Sequence, residues 1–184
     1  MELDRLRFFP AHGLTMPGNR RFEFESVALP HAAGLLRYAL HLESNKAQAE
    51  DLVQETLLSA WRSFHQFQPG TNCKAWLFRI LKNLYFKQVR QTRQKPEVPV
   101  EEWEPAFAAP EKISATQEMQ EAFARLTAEH KEVLHLAVVE GFGIREIAEL
   151  LQVPPGTIMS RLSRARASLR AILQGRTLVR EGGL

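Results

Sequence analysis

The stretch that decides the fold runs from Gly143 to Ile172 and reads GIREIAELLQVPPGTIMSRLSRARASLRAI. Its first part repeats apolar residues at the spacing of one helical face, and these are Ile144, Ile147, Ala148 and Leu151. Two prolines and a glycine within 152–156 then end that helix and turn the chain. A second apolar stripe begins directly afterwards, formed by Ile158, Leu162, Ala165, Leu169 and Ile172. Two short helices joined by a tight turn predict a helix-turn-helix.

The face of the second helix that lies opposite its apolar stripe carries small and basic side chains. They are Ser160, Ser163, Arg164 and Ala167, with Arg161 and Arg166 at the edges. Small side chains let a helix enter a DNA major groove, and arginine binds guanine edges or phosphates. The sequence has six arginines and no acidic residue between Glu149 and Glu181. This pattern favours a duplex DNA contact over the alternative of an ordinary solvated basic face.

The composition is that of an ordinary globular protein, with 184 residues of which 45% are hydrophobic and 24% charged. That length accommodates one medium domain or two small ones. The single cysteine, Cys73, cannot form an internal disulfide, and no cysteine cluster exists to hold a metal, so no metal or other cofactor is expected. No apolar run reaches the roughly 18 residues of a membrane span. The N-terminus lacks the apolar core of a signal peptide, so we expect a cytoplasmic protein without membrane insertion.

The net charge of +3 hides a strong segregation of charge along the chain. Residues 56–96 carry eight basic and no acidic side chains, and residues 150–180 carry six basic and no acidic ones. Between them, residues 97–149 carry twelve acidic and four basic side chains. Two basic blocks separated by an acidic one predict two distinct nucleic-acid contacts rather than one diffuse patch.

Helical periodicity predicts an all-α fold of two small domains, since few stretches alternate as strands do. The predicted parts are an N-terminal extension over 1–25, a first domain over 26–93, a linker over 94–116, a second domain over 117–173 and a C-terminal tail over 174–184. Prolines and glutamates are frequent in 94–116, which predicts an extended acidic linker. The helix-turn-helix belongs to the second domain.

Two helical patterns open the first domain. The first predicts an apolar face made of Leu29, Ala32, Ala33, Leu36 and Leu40. The second predicts a core side made of Ala49, Leu52, Val53, Thr56 and Ala60. The other side of that second helix holds Asp51, Glu55, Leu58 and Arg62, with Gln54 at its edge. An exposed leucine between two carboxylates indicates a partner surface, although a plain solvated face fits the same pattern.

The basic block of the first domain coincides with a helix that follows a turn. Pro69 and Gly70 mark the turn, and the Thr71 and Asn72 side chains are able to cap a helix. The predicted core side of the helix is Trp76, Leu77, Ile80, Leu81 and Leu84. Another side gathers Arg79, Lys82, Asn83, Phe86, Arg90 and Arg93. Cations mixed with an aromatic ring and an amide are typical of single-stranded nucleic-acid binding, although Phe86 would also fit a small core.

Three segments in this order resemble bacterial sigma factors of the extracytoplasmic-function (ECF) group, in their regions 2 and 4. The motifs that carry the resemblance are AEDLVQETLLSAW, TNCKAWLFRILKNL and IREIAELLQVPPGTIMSRLSRARASL. The resemblance covers 29–93 and 117–172, with an acidic linker between them. It implies a transcription initiation factor that binds core RNA polymerase and promoter DNA. It also implies an anti-sigma factor as a further partner.

The resemblance assigns each partner to particular positions. The polymerase would bind Asp51, Gln54, Glu55 and Leu58. The −10 element, opened to a single non-template strand, would be read by Gln68, Thr71, Asn72, Lys74, Arg79, Lys82, Asn83, Phe86 and Arg90. The −35 element would be read as duplex by Thr157, Ser160, Arg161, Ser163, Arg164 and Arg166. The promoter sequence does not follow from the resemblance, because the −10 loop and the outward face of the last helix vary most within the family.

Two other classes of protein offer alternatives. A helix-turn-helix regulator that binds duplex DNA without polymerase would share the last two helices, but it leaves the basic block at 56–96 and the face at Asp51 and Glu55 unexplained. A nucleic-acid enzyme would need metal-spaced acids, a phosphate loop or a paired nucleophile and base, which the sequence lacks, so no enzyme is expected. The histidines are scattered and are predicted to be surface residues or core residues with satisfied hydrogen bonds: His12, His31, His41, His65, His130 and His135.

Overall fold

The computed structural model describes residues 18–93 and 117–181, with side chains over 20–91 and 117–175. Within these ranges the chain forms eight α-helices and no strand, which confirms the all-α prediction. The helices are α1 (Gly18–Ala28), α2 (Ala32–Leu42), α3 (Lys46–Ser63), α4 (Cys73–Arg93), α5 (Gln117–Ala124), α6 (Ala128–Leu134), α7 (Ile144–Leu151) and α8 (Pro155–Glu181). None of them is long and apolar enough to cross a bilayer. The predicted linker over 94–116 lies outside the described residues, as do 1–17 and 182–184.

The first domain is built around α3, which packs between α2 and α4. Its predicted core side is confirmed, because Ala49, Leu52, Val53, Thr56 and Ala60 are all buried. The buried Thr56 hydroxyl donates a hydrogen bond to the Leu52 carbonyl at 2.7 Å, so its polar atom has a partner inside the core. The helix begins cleanly because the Asn45 side chain accepts hydrogen bonds from two backbone N–H groups of the first turn.

Helix α1 begins at Gly18, upstream of residue 26, at which the first domain was predicted to begin. Its Phe24 side chain is buried and makes edge-to-face contacts with Trp61 and Phe64, at ring-centroid distances of 5.3 and 5.2 Å. Such aromatic contacts add specific attraction to the burial of apolar area. Part of the predicted N-terminal extension therefore completes the core of this domain.

The buried side of α2 differs from the predicted one. The apolar residues in its core are Ala32, Leu35, Tyr38, Ala39 and Leu42. Among the residues predicted for the core, Ala33 is exposed, and Leu36 and Leu40 are only half-buried. The prediction was right for Ala32 but not for the whole face, because α2 is covered by α3, by α4 and by the second domain, and Tyr38 and His41 make part of these contacts.

The predicted helix-turn-helix is formed by α7 and α8. Helix α7 ends at Gln152, whose left-handed φ of 55° and ψ of 43° terminate it, and Pro155 then begins α8. The apolar residues buried between the two helices and the rest of the domain are Ile147, Ala148, Leu150, Ile158, Leu162 and Ala165. Ile144 departs from the predicted stripe, since it is 39% exposed at the start of α7.

One segment of the second domain departs from α-helical geometry. The helix predicted over 130–140 is α6 followed by a π-helical turn over His135–Val139. After it, Gly141 has a φ of 71°, a conformation that favours glycine. The residues on either side of that glycine, Glu140 and Phe142, are both buried, and both contact the first domain.

Candidate nucleic-acid and protein interfaces

The outward face of α8 exposes small and basic side chains, as its sequence predicts. Ser160, Ser163, Arg164 and Arg166 are exposed, whereas Ile158, Leu162 and Ala165 on the opposite side are buried. The structure shows no ion pair for Arg164 or Arg166 within the described part of the chain. Both guanidinium groups are therefore positioned to bind an external anion or a base edge.

Two other residues predicted to read duplex DNA are less accessible. Thr157 and Arg161 are half-buried. The Arg161 Nη2 donates a hydrogen bond to Glu129 Oε1 of α6 at 2.9 Å, so its guanidinium is already held by the domain. This pair ties the start of α8 to the start of α6 and orients the outward face.

The face of α3 opposite its core side is acidic. Asp51, Gln54 and Glu55 are exposed, and Leu58 is half-buried beside them. Helix α4 contacts this face through a hydrogen bond of 3.2 Å that Gln88 Nε2 donates to Glu55 Oε2. The structure therefore brings the four residues predicted to bind a partner together on one surface.

The loop before α4 is held in shape by its own side chains. Gly70 has a φ of 86°, and the Thr71 hydroxyl donates a hydrogen bond to the Gln68 carbonyl at 2.7 Å. Asn72 caps α4, because its Oδ1 accepts a hydrogen bond from the Ala75 N–H at 3.0 Å. Three of the predicted −10 residues, Gln68, Thr71 and Asn72, are thus exposed on a preformed turn, whereas Lys74 at the start of α4 is half-buried.

The second half of α4 leaves its aromatic and amide residues exposed. Asn83 and Arg90 are exposed, and Phe86 is 41% exposed, which removes the alternative of Phe86 as a core residue. The buried aromatic ring is instead Tyr85, whose hydroxyl donates a hydrogen bond to the Leu42 carbonyl at 3.1 Å. An exposed ring next to an amide and a cation provides a stacking surface for an unpaired base.

The first half of α4 is covered by the second domain. Lys82 was predicted to lie on the DNA-binding side of α4, but in this structure it is only 9% exposed. Its Nζ contacts Glu132 Oε1 at 3.0 Å, and the same carboxylate accepts a hydrogen bond of 2.9 Å from the Tyr38 hydroxyl. The physical reason is charge pairing across the two domains, which local periodicity does not reveal.

Glu140 is the most buried charge in this contact. Its side chain is fully buried and accepts two hydrogen bonds from Arg37, at 3.0 and 3.3 Å, while Lys74 Nζ lies 3.1 Å from Oε2. Burial would raise the pKa of this carboxyl group, but the neighbouring His135, Arg37 and Lys74 side chains outweigh burial and lower the pKa to about 2. Glu140 therefore stays ionised at neutral pH.

Two exposed polar contacts and one aromatic contact extend the same interface. Arg79 Nη2 lies 3.3 Å from Glu149 Oε2, and Asn72 Nδ2 donates a hydrogen bond to Glu146. The rings of Phe78 and Phe142 meet edge to face at 4.9 Å. We call the four carboxylates of the second domain that contact the first domain its acidic face: Glu132, Glu140, Glu146 and Glu149.

Sequence reasoning missed the acidic face as a partner of α4. Its four members all lie in the acidic block 97–149, and the α4 residues that they contact lie in the basic block 56–96. The opposite signs of neighbouring blocks were the available signal. The charge pattern was taken to predict two separate nucleic-acid contacts, and pairing between the basic block 56–96 and the acidic block 97–149 was not predicted.

Two histidines that are distant in the sequence meet at the same interface. The rings of His41 and His135 stack with centroids 4.4 Å apart, and both are buried. Both lie in the core, one of the two locations predicted for the histidines, but neither ring nitrogen of His135 makes a hydrogen bond within the described part of the chain, and its Nε2 lies 3.7 Å from Glu140 Oε1. Among the residues with described side chains, no group of histidine, cysteine or carboxylate ligands is arranged to hold a metal ion.

Both domains are similar to known proteins. The family model described as Sigma-70 region 2 matches residues 29–95, and that described as Sigma-70, region 4 matches residues 116–169. The ECF RNA polymerase sigma factor EcfG of Rhodopseudomonas palustris is 37% identical over 146 residues, covering 76% of this chain and 78% of EcfG. The ECF RNA polymerase sigma factor SigL of Mycobacterium tuberculosis is 37% identical over 152 residues, covering 78% and 85%. The sigma factor RpoE from Bartonella quintana, solved in complex with the anti-sigma factor NepR, has 33% identity and a TM-score of 0.65, covering 83% of this chain and 97% of RpoE.

Proposed function

This chain belongs to the extracytoplasmic-function (ECF) RNA polymerase sigma factors, and from that premise we propose which of its surfaces meets each partner. As a member of that family it is a promoter-specificity factor that binds RNA polymerase, and its relatives are transcription factors rather than enzymes. In the proposal, α3 binds polymerase, α4 with its preceding loop reads the opened −10 element, and α8 reads the −35 duplex. The proposed site of action is the cytoplasm, where RNA polymerase works.

The difference between the outward faces of α4 and α8 is the observation that carries this division. Exposed Asn83 and Phe86 on α4 provide an amide and a ring, which suit the hydrogen-bonding edges and flat faces of unpaired bases. Exposed Ser160, Ser163 and Arg164 on α8 provide a narrow basic ridge, which suits a major groove. Each surface fits one physical state of DNA.

Polymerase binding by α3 is tested by charge reversal. Asp51→Arg combined with Glu55→Arg should abolish capture by core polymerase, because both side chains project from the exposed face. The fold should persist, since the core side of α3 is untouched. Glu118→Arg combined with Glu121→Arg on exposed positions of α5 makes the same change in net charge and should leave capture intact. Wild-type capture of the α3 variant would remove this face from the polymerase interface.

A mobility-shift assay separates the proposal from a self-sufficient regulator. A promoter-specificity factor of this kind should retard a promoter fragment only together with core polymerase. Retardation of duplex promoter by the chain alone, with sequence preference, would favour the regulator.

An anti-sigma factor is the remaining proposed partner. The support is that RpoE, with 33% identity to this chain, was solved in complex with the anti-sigma factor NepR. If this chain has such a partner, that partner should compete with core polymerase for the purified chain in a pull-down assay. Simultaneous binding of both would argue against an inhibitory role.

A further inference from the structure

The second turn of α8 exposes a large apolar side chain that neither the domain core nor the contacts proposed above use. Met159 is 53% exposed, although the residue before it, Ile158, is fully buried in the core of the second domain. Met159 is the fifth residue of a helix that begins at Pro155. Single exposed apolar side chains are ordinary on a protein surface, so the role of this one depends on what surrounds it.

Met159 carries the one long side chain that is exposed in the first two turns of α8, residues 155–162. The other exposed residues there have short side chains, and they are Pro155, Gly156 and Ser160. Arg161 lies in the same turns, but it is half-buried and its guanidinium group donates a hydrogen bond to Glu129. In a helix-turn-helix, the N-terminal residues of the second helix contact base edges in the major groove. This part of α8 therefore offers the bases a thioether rather than an unpaired charge.

The neighbours of Met159 on the helix surface are residues that the proposed function assigns to DNA. Residues four and seven positions further along lie on the same side of a helix, and here they are Ser163 and Arg166, both exposed. The Ser160 hydroxyl, beside Met159, donates a hydrogen bond to the Thr157 carbonyl at 2.9 Å, so its donor is already used within the helix. Met159 thus belongs to the surface that would face the duplex.

The major groove of DNA presents one kind of apolar group. Hydrogen-bond donors and acceptors line the base edges, and the C5-methyl group of thymine is the exception among them. A thioether is only a weak hydrogen-bond acceptor, but it is flexible and polarisable and packs readily against apolar groups. Arginine and serine are able to recognise the polar edges, whereas methionine gains most from the thymine methyl group.

We propose that Met159 contacts the C5-methyl group of one thymine in the −35 duplex, so that the chain prefers thymine at that position. This inference rests on the proposed assignment of α8 to the −35 element, and it adds a base preference that depends on apolar contact. Thymine and uracil carry the same hydrogen-bonding groups and differ only in this methyl group. Replacing the one by the other therefore isolates the contact.

The first step of the test locates the position with the wild-type chain. Holoenzyme made from core polymerase and the full chain selects promoters from duplexes that are randomised across the −35 and −10 regions. Each thymine of the selected −35 element, on either strand, is then replaced singly by deoxyuracil. One of these replacements should weaken binding by about fourfold, which corresponds to one methyl-sized group withdrawn from water.

The second step asks whether Met159 causes this difference. Met159→Gln keeps the length of the side chain but replaces the thioether with an amide, so it should bind the thymine and deoxyuracil duplexes equally well. Met159→Leu keeps an apolar side chain and should retain most of the difference. A merely structural role for Met159 would weaken binding to both duplexes alike and would leave their ratio unchanged.

The matched control is Met119→Gln on α5. Met119 is 37% exposed, so the same substitution removes an exposed methionine without changing the outward face of α8. This variant should keep the wild-type ratio between the two duplexes. Circular dichroism and thermal unfolding of each variant check that the second domain is folded.

Two results would overturn the inference. One is that no replacement of thymine by deoxyuracil weakens binding of the wild-type chain, and the other is that Met159→Gln keeps the full difference. Arg164→Ala combined with Arg166→Ala separates these results from a failure of the proposed function. Loss of promoter binding by that double variant would keep α8 at the −35 element, whereas wild-type binding would remove the assignment and the inference with it.

Discussion

Helices α4 and α8 are both basic, yet their basic side chains differ in burial and in pairing with carboxylates. On α4, Lys74 and Lys82 are withdrawn from water and paired with carboxylates of the other domain. On α8, Arg164 and Arg166 are exposed. Two helices with the same sign of net charge therefore differ in whether their basic side chains are free of protein carboxylates and accessible to DNA.

The difference shows that a basic residue in the sequence is available to DNA only if no other part of the fold pairs with it. A cation that is paired inside the protein must lose that partner before it binds a phosphate, whereas an exposed arginine only releases counterions and water. In this structure Arg164 and Arg166 of the proposed duplex-reading surface are exposed, whereas Lys74 and Lys82 of the proposed strand-reading surface are paired and largely covered. Four measurements test this contrast.

The largest expected effect is on the pH dependence of the interdomain contact. Glu140 has a pKa of about 2 instead of the ordinary 4.5, which corresponds to about 3 kcal/mol of stabilisation. Because the pKa is lowered in the folded chain, this stabilisation is complete above pH 4.5 and is lost as the pH falls toward 2. Denaturant unfolding of wild type and Glu140→Gln should therefore differ most near neutral pH and converge on acidification.

The control for that titration is Glu25→Gln, at a partly exposed position on α1. Its unfolding free energy should follow wild type across the same range. A constant gap between wild type and Glu140→Gln down to pH 2 would mean that the Glu140 carboxylate does not stabilise the closed contact.

The next effect concerns the exposed half of α4. Asn83→Ala and Phe86→Ala should each reduce open complex by roughly tenfold to a hundredfold, because one base contact is worth about 1–3 kcal/mol. Closed-complex formation should change little, since the duplex contacts lie on α8. Permanganate footprinting of unpaired thymines, with polymerase held constant, measures this on duplex and pre-melted templates.

A pre-melted template distinguishes two roles for these residues. It should rescue a defect in strand separation but not a lost base contact. If both variants open duplex promoters like wild type, −10 reading moves to the loop at 68–74 alone.

Arg164→Ala should have an effect of similar size that is confined to one base pair. If its guanidinium binds a guanine edge, its loss should cost about 1–3 kcal/mol at that position and relax the preference there. Binding of holoenzyme to a set of promoters with single changes in the −35 element measures it. Equal losses on every promoter would make Arg164 a phosphate contact instead.

The smallest expected effect is that of Arg170→Ala, nearer the end of the contact surface. This exposed arginine should bind phosphate, so its loss should weaken all promoters alike. The slope of log affinity against log salt should fall by about one contact. A promoter-dependent loss would assign Arg170 to base reading.

Elements whose pattern is local were predicted well from the sequence. The core side of α3 and the α7–turn–α8 unit follow from apolar spacing, because each of these helices buries one regular apolar stripe. The grouping of Asp51, Gln54, Glu55 and Leu58 on one surface follows from the same periodicity. The buried side of helix α2 was not predicted, since α3, α4 and the second domain all cover this helix, and Tyr38 and His41 make part of these contacts.

Amino-acid order thus determined the helices, their outward chemistry and the family, all of which depend on residues within a few turns of one another. The tertiary structure alone decided which charges face water. Arg37 and Glu140 are 103 residues apart and Lys82 and Glu132 are 50 apart, separations at which spacing carries no information about contact. The physical reason is that pairing of distant charges depends on how two domains meet, and this meeting buries Lys82 while leaving Arg164 exposed.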